Sequence, residues 1–201
     1  MAADKKKSSE KVGKKAAENS KPKPKAPESC PPVDPAHIVV PKGGQVIQFY
    51  ELTPAFPEKN SQGVLEAKSW KLVPQGSKKP IADSISVGFH ENDSKLERRF
   101  ERAILVIKMS KEALTSHGGT WRFALGGVST DLANVDPDDD VRVEIIDNGL
   151  AILVYVHVLQ EETPKGEHFG FRFVASFANS TSGVVNIYES KDPGFIPKRP
   201  L

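Results

Sequence analysis

Val141 to Leu159 reads VRVEIIDNGLAILVYVHVL, two β-type runs on either side of Asp147-Asn148-Gly149. Val141–Ile146 and Leu150–Leu159 are rich in β-branched residues, and Asn-Gly supplies the positive φ of a tight hairpin turn. The second run is the most apolar in the chain. Tyr155 and His157 interrupt it, and it is far shorter than the ~20 residues a membrane helix needs. The stretch therefore predicts a hairpin, and the same chemistry repeats on both sides of it.

Downstream, Phe169–Phe177 (FGFRFVASF) puts Phe169, Phe171, Phe173, Ala175 and Phe177 on one face. Gly183–Tyr188 closes the series. Upstream, Thr120–Leu125 (TWRFAL) alternates Trp121, Phe123 and Leu125, and Ser84–Phe89 alternates Ile85, Val87 and Phe89. Gly63–Val73 and Gln45–Leu52 read as strands, and His37–Val40 is a short one before Pro41-Lys42-Gly43-Gly44. Turn chemistry recurs every ~8–14 residues, which gives about eight or nine strands. The fold class predicted is mainly β: an antiparallel β-sandwich or jelly roll with one or two short helices.

Helix competes with strand only across 93–117. Ser94 and Glu97 form a capping box. Leu96, Phe100, Ala103 and Ile107 recur at helical spacing, and Gly118-Gly119 would stop the helix. Ile104-Leu105-Val106-Ile107 equally reads as a buried strand. The division predicted is a short helix at 94–102, a strand at 103–109 and a turn of helix at 110–116, with one continuous helix as the alternative.

The first thirty residues are unlike the rest. Up to Cys30 they hold nine lysines (Lys5, Lys6, Lys7, Lys11, Lys14, Lys15, Lys21, Lys23 and Lys25) against Asp4, Glu10, Glu18 and Glu28. This arm therefore carries +5 in a chain of net charge +2, so the remainder sums to −3. The arm's one branched aliphatic residue is Val12, and it has no aromatic residue. Such a segment has no apolar surface to offset the entropy of ordering, and is expected to be disordered. Residues 26–37 (APESCPPVDPAH) form a proline-rich linker. The predicted organisation is an arm and linker at 1–36, a β domain at 37–190, and an extended C-terminal tail at 191–201. That tail, with Pro193, Pro197 and Pro200, is expected not to continue a sheet, and Phe195 and Ile196 are candidates for docking on a neighbouring subunit.

Nine lysines near phosphates would release counterions and give salt-sensitive, sequence-blind affinity. The plainer reading of the arm is a solubilising tail or a nuclear-import patch at Lys5-Lys6-Lys7. Lys95, Arg98 and Arg102 form a candidate second anion patch, since Arg98 and Arg102 would share a helical face. The plainer reading there is a solvated face paired with Glu97 and Glu101. Asp136, Asp138 and Asp140 offer hard oxygen ligands for Ca²⁺, but the glycine and distal glutamate of an EF-hand are absent from that stretch, and an acidic turn is the simpler account.

No constellation for catalysis emerges. The five histidines (His37, His90, His117, His157 and His168) form no metal-ligating pair by spacing. No phosphate loop or nucleophile elbow occurs, and Gly126-Gly127 after a strand reads as a sharp turn. Glu161-Glu162 and Glu167-His168 read as charged strand ends. The expectation is a non-enzyme with no cofactor and no small-molecule substrate. Cys30 is the lone cysteine, so no intramolecular disulfide is expected. No apolar h-region follows Met1, and Asn92-Asp93-Ser94 and Asn179-Ser180-Thr181 read as chance glycosylation matches. The location expected is cytoplasmic or nuclear, or a virion if the protein is viral, and not secreted.

The layout of basic arm at 4–25, proline hinge at 26–36 and strand series to Tyr188 resembles capsid proteins of small positive-strand RNA viruses, especially plant viruses. The resemblance implies an arm that reaches the genome, a jelly-roll domain that builds a shell, RNA as the partner, and self-association. A viral matrix-type protein that binds anionic membrane and nucleoprotein shares the same parts. So does a cellular β-sandwich interaction module with a basic regulatory tail.

Overall fold

The computed structural model describes residues 34–82, 84–115, 118–130, 141–160, 171–191 and 195–199. The chain divides into two units, Met1–Pro31 and Pro32–Leu201, and every described residue belongs to the second. The alternating runs become strands β1 (His37–Val40), β2 (Gln45–Thr53), β3 (Glu58–Lys59), β4 (Leu65–Glu66), β5 (Lys71–Pro74), β6 (Ile85–Phe89) and β7 (Arg102–Met109). They continue as β8 (Gly119–Thr130), β9 (Val141–Ile146), β10 (Ala151–Val156), β11 (Phe171–Asn179), β12 (Val185–Glu189) and β13 (Phe195–Lys198). Helices α1 (Lys95–Arg98) and α2 (Lys111–Thr115) flank β7. The fold is mainly β, in several sheets, with two short helices.

The contested stretch 93–117 resolves as helix, strand, helix. Ser94 caps α1, its hydroxyl accepting from the Glu97 N–H at 3.3 Å. The helix stops after one turn because its continuation is claimed by a sheet: β7 is a central strand, paired with β2 on one side and β10 on the other. β-Branched Ile104, Val106 and Ile107 suit that position. Leu96 and Phe100, which shared the helical stripe, stay exposed.

The largest sheet runs β5-β2-β7-β10-β9, and two three-stranded sheets run β1-β6-β13 and β12-β11-β8. β3 and β4 form a separate small hairpin. Antiparallel pairing was expected throughout. It holds for β5–β2, β7–β10, β10–β9, β8–β11 and β11–β12. Three pairs run parallel instead: β1 with β6, β13 with β6, and β2 with β7.

The cause is a pair of stacked arches. The chain passes from β1 into β2, and so from one sheet to another, through Pro41-Lys42-Gly43-Gly44. It later makes the same crossing from β6 through α1 into β7. Equivalent limbs then lie side by side in the same direction. The arches are stitched at their crowns, where the Arg102 N–H donates to the Gly44 carbonyl at 3.2 Å. A Cβ on Gly44 would lie 2.9 Å from Pro41 Cγ, so the first crown closes tightly on a residue without a side chain.

The segment expected as an extended tail is a correction. Phe195–Lys198 forms β13 and joins the body on the edge of the β1-β6-β13 sheet. Pro197 is tolerated because an edge strand need not donate on its outer side.

The β9–β10 hairpin forms as expected, with Ala151 opposite Ile146. Its loop uses positive φ at Asp147 (52°), Asn148 (53°) and Gly149 (85°). Gly126-Gly127 also bends the chain: Leu125, Gly126 and Gly127 have φ of 48°, 82° and 82°. This inserts a bulge in β8, so that Val128 faces Phe173 while Phe123 faces Ala175.

The inner face of the large sheet and the inner faces of both three-stranded sheets line one core. Tyr50, Leu52, Leu72, Leu105, Ile107, Ile152, Val154 and Val156 meet Ile38, Val87, Phe89, Trp121 and Phe173 there. Trp121 centres an aromatic group, with ring centroids 4.9 Å from Phe56, 5.2 Å from Phe177 and Tyr188, and 5.9 Å from Trp70. The hairpin loop is pinned to β8 by the Arg122 guanidinium, which donates to the Asn148 carbonyl.

Candidate binding face

Strand alternation gives the five-stranded sheet two faces, and the core takes one. The other carries Ile47 and Phe49 from β2, Ile104 and Val106 from β7, and Leu153 and Tyr155 from β10. Register aligns them in two rows. Ile47 lies opposite Ile104, which lies opposite Tyr155, which lies opposite Arg142. Phe49 lies opposite Val106, then Leu153, then Glu144. Ile47 is 52% exposed and Phe49 45%, while Ile104, Val106, Leu153 and Tyr155 are half-buried among their neighbours. No described element covers this face. Such apolar alternation on both faces of strands β2, β7 and β10 is the pattern of a sheet covered on both sides.

Charges rim the patch. Arg102, Arg142, Glu144, Tyr155 and His157 line a shallow depression of about 230 Å³ at one corner. At the other end of the strands Glu51 and Lys108 stand directly across from each other. Among the described residues neither the Arg102 guanidinium nor that of Arg142 has a hydrogen bond or ion pair, although the Arg102 backbone N–H is engaged with Gly44.

A second polar group lies sealed inside the protein, where the crown of the second arch meets β13. Glu101 and Arg199 are both 1% exposed. Arg199 Nη2 donates to Glu101 Oε2 and to the Val158 carbonyl at 3.1 Å, and Nη1 donates to the His90 carbonyl at 2.6 Å. Its guanidinium carbon sits 5.1 Å from the centre of the Phe89 ring. Glu101 Oε1 accepts from Asn92 Nδ2 at 2.6 Å and from the Gly43 N–H at 3.0 Å. Burial by itself raises the Glu101 carboxyl; the hydrogen bonds from Arg199, Asn92 and Gly43, with the Arg199 charge, outweigh it and hold the group below its usual value. Closed off from solvent, this cluster joins chain segments and offers no opening to a ligand.

The candidate anion patch is dispersed. Lys95 and Arg102 are exposed, but Arg98 is buried. Its Nε donates to the Leu159 carbonyl at 2.8 Å and its Nη1 to the Asn92 carbonyl. Arg98 and Arg102 do not share a helical face, because α1 ends at Arg98 and Arg102 opens β7. Glu101, read as a solvated partner, is the buried acid. The nine arm lysines and Asp136, Asp138 and Asp140 lie outside the described residues, as do His117 and His168. His37 and His90 are exposed, and His157 is half-buried beside the corner depression. Among the described residues no three His, Cys, Asp or Glu side chains converge to hold a metal ion.

Sequence reasoning missed both the open face and the Glu101–Arg199 pair. The face left a signal: Ala103–Ile107 and Ala151–Val156 are apolar at every position, more than a one-sided sheet requires. The pair left none, since 98 residues separate its members.

No curated protein and no solved structure matches the chain. The model of the DP-EP family matches residues 34–199. The match starts past the lysine-rich arm, within the last residues of the linker, and it ends on Arg199, the buried partner of Glu101. The chain belongs to the DP-EP family.

Proposed function

We propose that this chain is a structural binding protein whose lysine-rich arm holds nucleic acid, RNA foremost, and whose β body self-associates. The observation that carries the reading is the uncovered face of the five-stranded sheet. It is apolar at its centre with charges at its rim, which is the form of a macromolecular interface rather than of a small-molecule pocket. The arm supports the other half. Its +5 charge lies outside the span matched to the family, where an extension that binds a polyanion would sit apart from the β body. The same layout would serve a viral coat subunit, but a jelly roll is built from antiparallel strands, and the parallel β1–β6, β6–β13 and β2–β7 pairs do not favour that narrower form.

The test is the salt dependence of RNA binding by the full chain. Replacing Lys5, Lys6, Lys7, Lys14 and Lys15 with glutamine should flatten the plot of log affinity against log salt by roughly 0.7 per lost phosphate contact on a single strand. An unchanged slope would remove the arm from the interaction and overturn the reading.

A further inference from the structure

We propose that the open face of the five-stranded sheet is the contact surface of a two-fold dimer, in which a second copy of this chain lays the same face against it. The proposal rests on the self-association half of the reading above and names its surface and geometry.

Three observations select a second copy as the occupant. The first is the chemistry of the face. Ile47, Ile104, Val106 and Leu153 make it mainly aliphatic, with Phe49 and Tyr155 on separate rows. A single-stranded nucleic acid is held by stacked aromatics and a continuous basic track, whereas Glu51 and Glu144 interrupt any such track here. The second is the composition of the rest of the chain. Met1–Cys30 has one branched aliphatic residue and no aromatic, so the arm has little to bury there. Residues 131–140 (DLANVDPDDD) and 161–170 (EETPKGEHFG) are dominated by charge and turn formers.

The third is self-complementary charge. Arg142 and Glu144 stand two residues apart on β9, on the same face, at the ends of adjacent cross-strand rows. Consider a two-fold axis lying between two such sheets, perpendicular to the strands, and crossing them at the level of Val143, Val154 and Leu105. It exchanges the two rows. Arg142 then faces Glu144 of the second copy, and Glu144 faces its Arg142. Ile47 meets Phe49, Ile104 meets Val106, and Tyr155 meets Leu153. Arg102 comes opposite Lys108 of the second copy, and Glu51 beside that lysine offsets one of the two positive charges. Sheets packed face to face in this manner align within about 30°, and an isologous contact of this type closes without leaving a surface open to further addition.

The experiment is sedimentation equilibrium on the full chain with charge reversal. The unaltered protein should sediment as a dimer. Arg142→Glu and Glu144→Arg, both at exposed positions, should each raise the dissociation constant at least tenfold, by placing like charges opposite one another twice. The double variant Arg142→Glu/Glu144→Arg should return to within threefold of the original, because the exchange restores both pairs. Far-UV circular dichroism confirms that each variant is folded. A monomer at all concentrations, a double variant no better than the weaker single, or a dimer that forms only when residues 1–30 are deleted would overturn the proposal. RNA binding measured on the same samples separates the two ideas. A monomer that binds RNA with full salt dependence refutes the dimer and leaves the arm's role intact, while a rescued dimer that ignores RNA does the reverse.

Discussion

Arg199 donates to Glu101 across 98 residues of chain, with the carboxylate and the guanidinium both sealed from solvent. The pair ties the last strand to the start of the central one. A buried ion pair is weak grounds for net stability, since a well-packed apolar replacement of both partners often matches it, but removing one partner strands the other. Arg199→Met should therefore cost about 3–5 kcal/mol in urea unfolding of the whole chain. A loss under 1 kcal/mol would mean that water reaches Glu101.

The same pair gives a pH signature. The folded protein holds the Glu101 carboxyl below its usual value, while the unfolded chain titrates it near ~4.3. The folded state thus binds this proton less tightly than the unfolded state. Its contribution is full above the unfolded value and is lost as pH falls through the folded one. Between about pH 5 and 3 the urea midpoint of the unaltered chain should fall more steeply than that of Glu101→Gln. Parallel curves would show that other carboxylates dominate acid unfolding.

Tyr50 is the alkaline counterpart. It is buried, and its hydroxyl donates to the Pro35 carbonyl at 2.8 Å. Burial, with the nearby Asp34 charge, raises the phenol far above its ordinary value. The stability linked to it is complete below the unfolded value of ~10 and is lost as pH rises toward the folded one. One tyrosine of three should resist ionisation at 295 nm until the protein unfolds. Tyr50→Phe should remove that late phase and cost about 1 kcal/mol at neutral pH.

Gly127 is fixed by both its backbone and its surroundings. Its φ is 82°, and a Cβ there would lie 2.8 Å from Ile152 Cγ2 in the core. Gly127→Ala should destabilise by about 1–3 kcal/mol. Gly126→Ala meets no atom within 4 Å and carries only the cost of its positive φ, so it should be the milder of the two. An equal loss at both positions would show that backbone strain alone sets the cost.

What could be read from the sequence follows locality. The β9–β10 hairpin was legible because Asn148-Gly149 and the flanking runs lie within nineteen residues. The split of 93–117 was legible because Ser94 caps locally and three of the four residues of Ile104–Ile107 are β-branched. The parallel pairs were not, since they depend on two arches, more than fifty residues apart in the chain, stacking at Gly43 and Glu101. β13 was taken for a tail because Pro197 argues against a strand. That argument fails at an edge, and nothing local announces an edge. Arg98 looked like a surface charge for the same reason: its acceptor at Leu159 is 61 residues away.

The parallel seat of β13 on β6 also has a bearing on how this chain is made. While a ribosome elongates the chain, β6 emerges early with one side of its ladder vacant, and Arg199 follows His90 by 109 residues. At ordinary elongation speeds of about 5–20 residues per second, that gap is on the order of 5–20 s. Through that interval Glu101 awaits its cation, and β6 offers a bare β edge to any nascent neighbour. The newborn polypeptide thus carries an unpaired side on β6 until β13 arrives.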